Sequence, residues 1–172
     1  MKHLAWIAMA YLLLAVISPL LGHLDAQLYA PDVALLTALY VGSRSEALPA
    51  VLTGFAVGLL KDGFSMSAPV GVYAEICVLV ALLARGLQSR VDLVSPLPVI
   101  ATSAAASLLS SALFLAFESV FHRSFDNHAE VAATALPLAL TTMLVAPAQF
   151  ALMERIRRRF DQQSRGAMLL RR

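Results

Sequence analysis

Long apolar stretches broken by short polar intervals set the rhythm of this chain. The first runs from Leu4 to Leu21, with Pro19 near its far end, and the polar interval Gly22-His23-Leu24-Asp25-Ala26-Gln27 follows. A helix needs roughly 20 apolar residues to cross a hydrocarbon layer of about 30 Å, and this stretch is long enough. Val33 to Val41 and Ala47 to Leu60 come next, separated by Gly42-Ser43-Arg44-Ser45-Glu46. Both are short, and each crosses only if tilted, extended by its polar flanks or shielded by neighbours. With those flanks they are predicted as helices over 31–43 and 46–62. After the turn-rich Lys61-Asp62-Gly63-Phe64-Ser65-Met66-Ser67, Pro69 opens a fourth helix over 69–87, because proline suits the first helical turn. A fifth is predicted over 96–121 and a sixth over 131–153, with Pro137 and Pro147 inside it. Membrane helices tolerate proline where neighbours satisfy the freed carbonyls. The pattern therefore predicts an all-α membrane protein. Its first helix spans 4–21, its six spans form one domain over 1–153, and a basic tail occupies 154–172.

Composition agrees with lipid as the solvent. Of 172 residues 59% are hydrophobic and 14% charged, against about 25% charged in an ordinary soluble domain. The mean hydropathy is +0.76, too much apolar side chain for a small water-soluble fold to hide. Lys2 ahead of the first stretch has the charge order of a signal peptide, but a stretch able to span, in a chain equally apolar elsewhere, reads as a first transmembrane helix. Charge then orients the bundle. With the N-terminus cytoplasmic, the inner segments hold Lys2, Arg44, Arg85, Arg90 and seven tail arginines, leaving only Lys61 and Arg123 outside. That asymmetry predicts both termini in the cytoplasm. The single cysteine, Cys77, excludes a disulfide within the chain and leaves the compartment open on that score. The pI near 9.0 does not point to nucleic acid, since the arginines crowd at one end without interleaved aromatics.

Several residues stand out for what they could do. Ala50, Gly54, Gly58 and Asp62 recur every four residues, so they share one helix face. Small residues there let a neighbouring backbone come close, either within this bundle or from a partner's transmembrane helix. The fifth helix carries Ser103, Ser107, Ser110 and Ser111 among alanines, a face for helix packing with hydroxyls bonded to carbonyls one turn back. Glu75 is predicted about two turns inside the fourth helix, on the face of Gly71. An ionisable group at that depth suggests function: it points into an outward cavity, pairs with Lys61, stays protonated, or lies near enough to the surface to be hydrated. Asp25 and Asp32 flank the second helix as capping acids, and Asp62 beside Lys61 reads as a local ion pair or a helix terminator.

No residue pattern for catalysis emerges. His122, Asp126, His128 and Glu130 share one polar loop, but such loops hold these residues because they are wet, and no metalloprotease, nucleophile-elbow or phosphate-loop motif occurs. No enzyme activity and no cofactor are expected. The arginines of the tail, Arg155, Arg157, Arg158 and Arg159 among them, anchor the topology and attract anionic lipid. A cytoplasmic protein partner is a further expectation for the same residues.

Three short segments carry a resemblance. Pro31-Asp32-Val33-Ala34-Leu35-Leu36-Thr37-Ala38-Leu39-Tyr40 resembles the P-D-x-x-L-L-x-x-x-Y opening of the second span of the MreD family of rod-shape-determining proteins. Gly54-Phe55-Ala56-Val57-Gly58-Leu59-Leu60-Lys61-Asp62 is similar to its G-F-x-x-G-L-L-x-D segment, and Pro69-Val70-Gly71 to its P-x-G. The likeness covers residues 30 to 90; elsewhere only length, span count and the basic C-terminus agree. Glu75 departs from the family pattern, so its role is not carried over.

The resemblance implies a six-span bundle in the bacterial inner membrane, similar in fold to the S components of energy-coupling-factor transporters. It implies a scaffold that binds the bitopic protein MreC and, through it, the MreB filament, the glycosyltransferase RodA and a penicillin-binding transpeptidase. Carried over by position, the Pro31-Asp32 and Gly54-to-Asp62 motifs would shape the bundle and an outward-open cavity; from the residues themselves, Asp32, Gly71, Tyr73 and Glu75 are the candidates to line it. The alternative expectation is a small-solute binding component of a vitamin-type transporter, for which Glu75, Tyr73 and Tyr29 are the obvious polar and aromatic groups.

Overall fold

The computed structural model describes residues 2–23, 29–65, 70–88, 95–121 and 128–169. They form six α-helices: α1 (Lys2–His23), α2 (Val33–Arg44), α3 (Ala47–Phe64), α4 (Val72–Leu87), α5 (Pro96–Phe121) and α6 (His128–Leu169). Four are long and apolar enough to cross a membrane: α1, α3, α5 over Pro96–Phe117 and α6 over Ala132–Phe160. The arrangement is consistent with a helical membrane protein. The other two are shorter, α2 with 12 residues and α4 with 16. At 1.5 Å per residue these reach about 18 and 24 Å, less than a hydrocarbon core.

The packing shows how the shortest helix is accommodated. Helix α2 touches all five other helices, and every residue from Val33 to Ser43 is buried. At its start Asp32 Oδ1 accepts from Leu35 N, and near its end Tyr40 O accepts from Ser43 Oγ and Val41 O from Ser45 N, so protein groups satisfy part of its terminal backbone. That is the condition under which irregular or short backbone is tolerated at membrane depth. The longer helices form the rim. Leu12, Val16 and Leu20 on α1, Leu48, Leu52 and Phe55 on α3, and Leu136, Leu140 and Leu144 on α6 all face outward. Apolar patches of that extent suit a lipid surround and would drive aggregation in water.

Two packing pairs hold the halves. Helices α3 and α4 lie together along much of their length, as do α5 and α6. On α5 the predicted serine face is indeed turned inward, with Ser103, Ser107 and Ser110 buried. Ser103 Oγ donates to Ile100 O at 2.9 Å and Ser111 Oγ to Ser107 O at 3.2 Å, whereas Ser107 Oγ is buried without a partner among the described residues. At the end of the bundle that carries Arg44, Trp6 meets Tyr40 edge-to-face at 5.5 Å and Tyr40 meets Phe150 at 5.3 Å. Trp6 Nε1 donates to Met153 O at 3.4 Å. This wedge joins α1, α2 and α6.

Two predicted boundaries are corrected. Helix α4 begins at Val72 rather than at residue 69, because Gly71 adopts a left-handed conformation (φ 111°) that ends the preceding turn; Pro69 itself lies outside the described residues. Helix α6 does not stop at residue 153. It continues to Leu169, since glutamate, arginine and glutamine are good helix formers and neither Gly nor Pro intervenes before Gly166. The stretch from 154 is therefore an extension of α6, not a separate segment.

Candidate functional site

The residues singled out on α2, α3 and α4 converge at one end of the bundle. Asp32 precedes α2, where a carboxylate accepts from the free N–H groups of the first turn; its Oδ1 accepts from Leu35 N at 3.0 Å. Its Oδ2 receives Lys61 Nζ at 2.5 Å, with the Asp32 side chain 4% exposed and that of Lys61 19%. The backbone N–H of Asp32 donates to Thr142 Oγ1 of α6 at 3.1 Å. Lys61 Nζ also lies 3.9 Å from the centre of the Tyr73 ring, a cation–π contact. Behind it Tyr73 stacks on Phe114 of α5, centroids 5.5 Å apart.

Consecutive residues on a helix point about 100° apart, so Lys61 and Asp62 serve different neighbours. Asp62, buried on α3, turns to the start of α4. Its Oδ2 accepts from Gly71 N at 3.0 Å and Ala74 N at 3.2 Å, and its Oδ1 from Tyr73 N at 3.1 Å. The residue in the capping position of α4 is Gly71, which has no side chain to offer. Asp62 supplies that cap from another helix, and its negative charge suits the positive end of the α4 dipole.

Glycines permit the close approach this needs. A Cβ on Gly58 would lie 2.4 Å from Ala74 Cα and 2.6 Å from Tyr73 O, and one on Gly54 would lie 3.2 Å from Cys77 O. From the other side, a Cβ on Gly42 of α2 would lie 2.2 Å from Ala81 O. One face of α4 is thus received by glycines of two helices. The row Ala50, Gly54, Gly58, Asp62 is wholly buried, and α4 covers Gly54, Gly58 and Asp62. Of its two expected uses, the structure assigns internal packing; it is not open to a partner's helix. No family model, curated protein or solved structure matches this chain.

The expected outward group divides. Asp32 and Tyr73 come together around Lys61, and Gly71 joins through its N–H to Asp62. Glu75 does not. It stands exposed in the first turn of α4, not two turns deep, because the helix starts three residues later than predicted. Lys61 is paired with Asp32 instead. The Glu75 side chain lies on the outside of the bundle. Every carboxylate oxygen in the cluster already accepts a hydrogen bond, and the lysine is charge-paired. The arrangement acts as a clamp on the ends of α2, α3 and α4.

A second set of contacts ties α2 to α6, and the sequence reading passed over it. Gln149 Nε2 donates to Val33 O at 2.9 Å and to Thr37 Oγ1 at 3.0 Å, while Thr37 Oγ1 donates to Val33 O at 2.8 Å. At the opposite end from the clamp, Tyr40 OH donates to Glu154 Oε2 at 2.8 Å, and Glu154 Oε1 accepts from Arg157 at 3.0 Å and from Arg158 at 3.3 Å. The available signal was the spacing of Thr142, Ala146 and Gln149, a small and polar face in an otherwise leucine-rich helix. Among the tail arginines, Arg155, Arg158 and Arg159 are exposed and Arg157 half-buried.

Between α4 and α5 an apolar cleft of about 190 Å³ is lined by Leu39 of α2, Leu83 and Ala84 of α4, and Thr102, Ala105 and Leu109 of α5, among others. His122, Asp126 and Asp25 lie outside the described residues, as do the side chains of His128 and Glu130. Among the described residues no group of three or more His, Cys, Asp or Glu stands close enough to hold a metal ion.

Proposed function

We propose that this protein is a non-enzymatic scaffold of the MreD type, embedded in the bacterial inner membrane by six spans with both termini cytoplasmic. In this reading it binds MreC and, through it, works with the MreB filament, RodA and a penicillin-binding transpeptidase to position lateral wall synthesis. The observation that carries the reading is the contact among three short segments. Those beginning at Pro31, at Gly54 and at Pro69 are the segments that carry the MreD resemblance. The first meets the second through Asp32 and Lys61, and the second meets Gly71 of the third through Asp62. Chance likeness among short apolar motifs gives no reason for their polar residues to be one another's partners. A shared folding unit does.

The alternative, a solute-binding transport component, needs polar and aromatic groups free to receive a ligand. The cleft between α4 and α5 is apolar but for Thr102, and Asp32, Lys61 and Tyr73 are engaged with each other. Because α4 covers Gly54 and Gly58, an MreC helix would meet a different face of the bundle.

The test is depletion of the protein in its host together with purification in mild detergent. Rounded cells and recovery of a bitopic protein with a periplasmic coiled coil are the expected results. Normal cell shape with loss of uptake of one nutrient would overturn the scaffold and support the transporter.

A further inference from the structure

The outward face of α6 changes character once along its length. Leu140, Leu144, Ala148, Ala151 and Leu152 are exposed on it, and Arg155, Arg158 and Arg159 are exposed directly beyond. Taking 100° per residue, all eight fall within a band about 120° wide. The arginines thus continue the face that meets lipid; they do not point back over the bundle. Arg157 is the exception: it turns inward, its side chain 30% exposed and bonded to Glu154, whereas Arg158, though its Nε also reaches Glu154 Oε1 at 3.3 Å, keeps its side chain 74% exposed. Glu154 in turn is held by Tyr40 of α2, which fixes the rotation of the helix at the point where leucine gives way to arginine.

Length agrees. From Leu136, the first exposed leucine of α6, to Arg155 is about 28 Å at 1.5 Å per residue, close to the roughly 30 Å of a hydrocarbon core. With Leu136 at one boundary, Arg155 reaches the other, and Arg158 and Arg159 stand one turn beyond it, at headgroup depth.

We infer that Arg155, Arg158 and Arg159 form a lateral docking surface for the phosphates of anionic phospholipids in the leaflet that contains the Arg-bearing end of the bundle. The occupant is lipid because the surface is continuous with the lipid-facing leucine band and lies at the depth of the headgroups. Guanidinium forks also match phosphate oxygens in pairs. This inference needs only membrane embedding and is independent of the scaffold reading.

The test places a reporter on the same face. Full-length protein carrying Leu152→Trp is reconstituted in vesicles of phosphatidylcholine and phosphatidylglycerol, with one or the other lipid brominated in its acyl chains. The buried Trp6 gives a constant background. Brominated phosphatidylglycerol is expected to quench more strongly than its share of the lipid predicts. At about fivefold per basic residue near the surface, three arginines set an upper bound of roughly hundredfold on the preference. Replacing Arg155, Arg158 and Arg159 together with Gln should remove the enrichment, while Lys2→Gln, a basic residue on α1, leaves it intact. Equal quenching by both lipids with all three arginines present would overturn the inference. So would enrichment that survives the triple substitution. The same readings with an acidic peptide displacing the anionic lipid would assign the surface to a protein instead.

Discussion

Glycine-to-alanine substitutions along α2 and α3 separate close helix packing from helix propensity, because the space available differs from site to site. At Gly58 a new Cβ would lie 2.4 Å from Ala74 Cα, whereas carbons in contact stand about 3.5–4.0 Å apart. The obstruction is backbone, so no rotamer change relieves it. Helices α3 and α4 must part by roughly 1 Å. Overpacking of this kind costs about 1–3 kcal/mol. The same displacement stretches the bonds from Gly71, Tyr73 and Ala74 to Asp62, one turn away and now 3.0–3.2 Å long; losing such a cap costs about 1 kcal/mol. Against this stands the roughly 1 kcal/mol that alanine gains over glycine inside a helix. The net expectation is destabilisation by about 1–3 kcal/mol.

The other sites provide the scale. Gly63 has nothing within 4 Å of its would-be Cβ, so Gly63→Ala should stabilise slightly; Gly54, with its nearest contact at 3.2 Å, should come out near neutral. Gly42→Ala should be the worst, since its Cβ would lie 2.2 Å from Ala81 O and α2, enclosed on all sides, has nowhere to move. Unfolding of the purified protein in mixed micelles of mild detergent and dodecyl sulfate measures this. Trp6, buried against Tyr40, serves as the fluorescent reporter. If Gly58→Ala and Gly42→Ala unfold at the same midpoint as Gly63→Ala, the close-approach argument is wrong.

Two further outcomes follow from the polar contacts. Lys61→Met should destabilise by about 3 kcal/mol by leaving the buried Asp32 carboxylate unpaired, and adding Asp32→Asn should recover most of that loss, because asparagine keeps the cap on Leu35. A double variant no more stable than the single one would refute the buried-pair account. Tyr40→Phe should cost about 1.5 kcal/mol by removing the bond to charged Glu154, seen as a lower unfolding midpoint with unchanged helix content; an unchanged midpoint counts against the contact.

Much of the architecture was legible in hydropathy, for a physical reason. A lipid solvent demands runs of apolar residues, and the six predicted helices lie where α1 to α6 are found, the fifth with the same limits, 96–121. The face of Ala50, Gly54, Gly58 and Asp62 was legible because helical periodicity is local. Partnership is not local. Lys61 has Asp62 as its chain neighbour, yet pairs with Asp32 of α2, because adjacent helical side chains diverge. Gly42 escaped notice because its partner, Ala81, belongs to another helix and no repeat within α2 marks it. Thr142 and Gln149 lay in a run that hydropathy averages as apolar. The depth of Glu75 was misjudged by one turn, since nothing in Pro69-Val70-Gly71 reveals that Gly71 takes a left-handed conformation.

The glycines and the polar contacts answer one physical problem. In lipid, exclusion of apolar surface does not bring helices together, and association rests on close packing and interhelical hydrogen bonds. The short α2 shows both means at their densest. It meets α4 at Gly42, and it is tied to α6 at three heights: Asp32 to Thr142, Val33 and Thr37 to Gln149, and Tyr40 to Glu154. Attachment at three heights resists rotation and sliding in a way that one contact does not. The contacts thus run from the arginine-bearing extension of α6 through α2 to the Asp32–Lys61 pair at the opposite end. In the scaffold role proposed above, such an unbroken run of contacts between the two ends of the bundle is what a signal across the membrane would need.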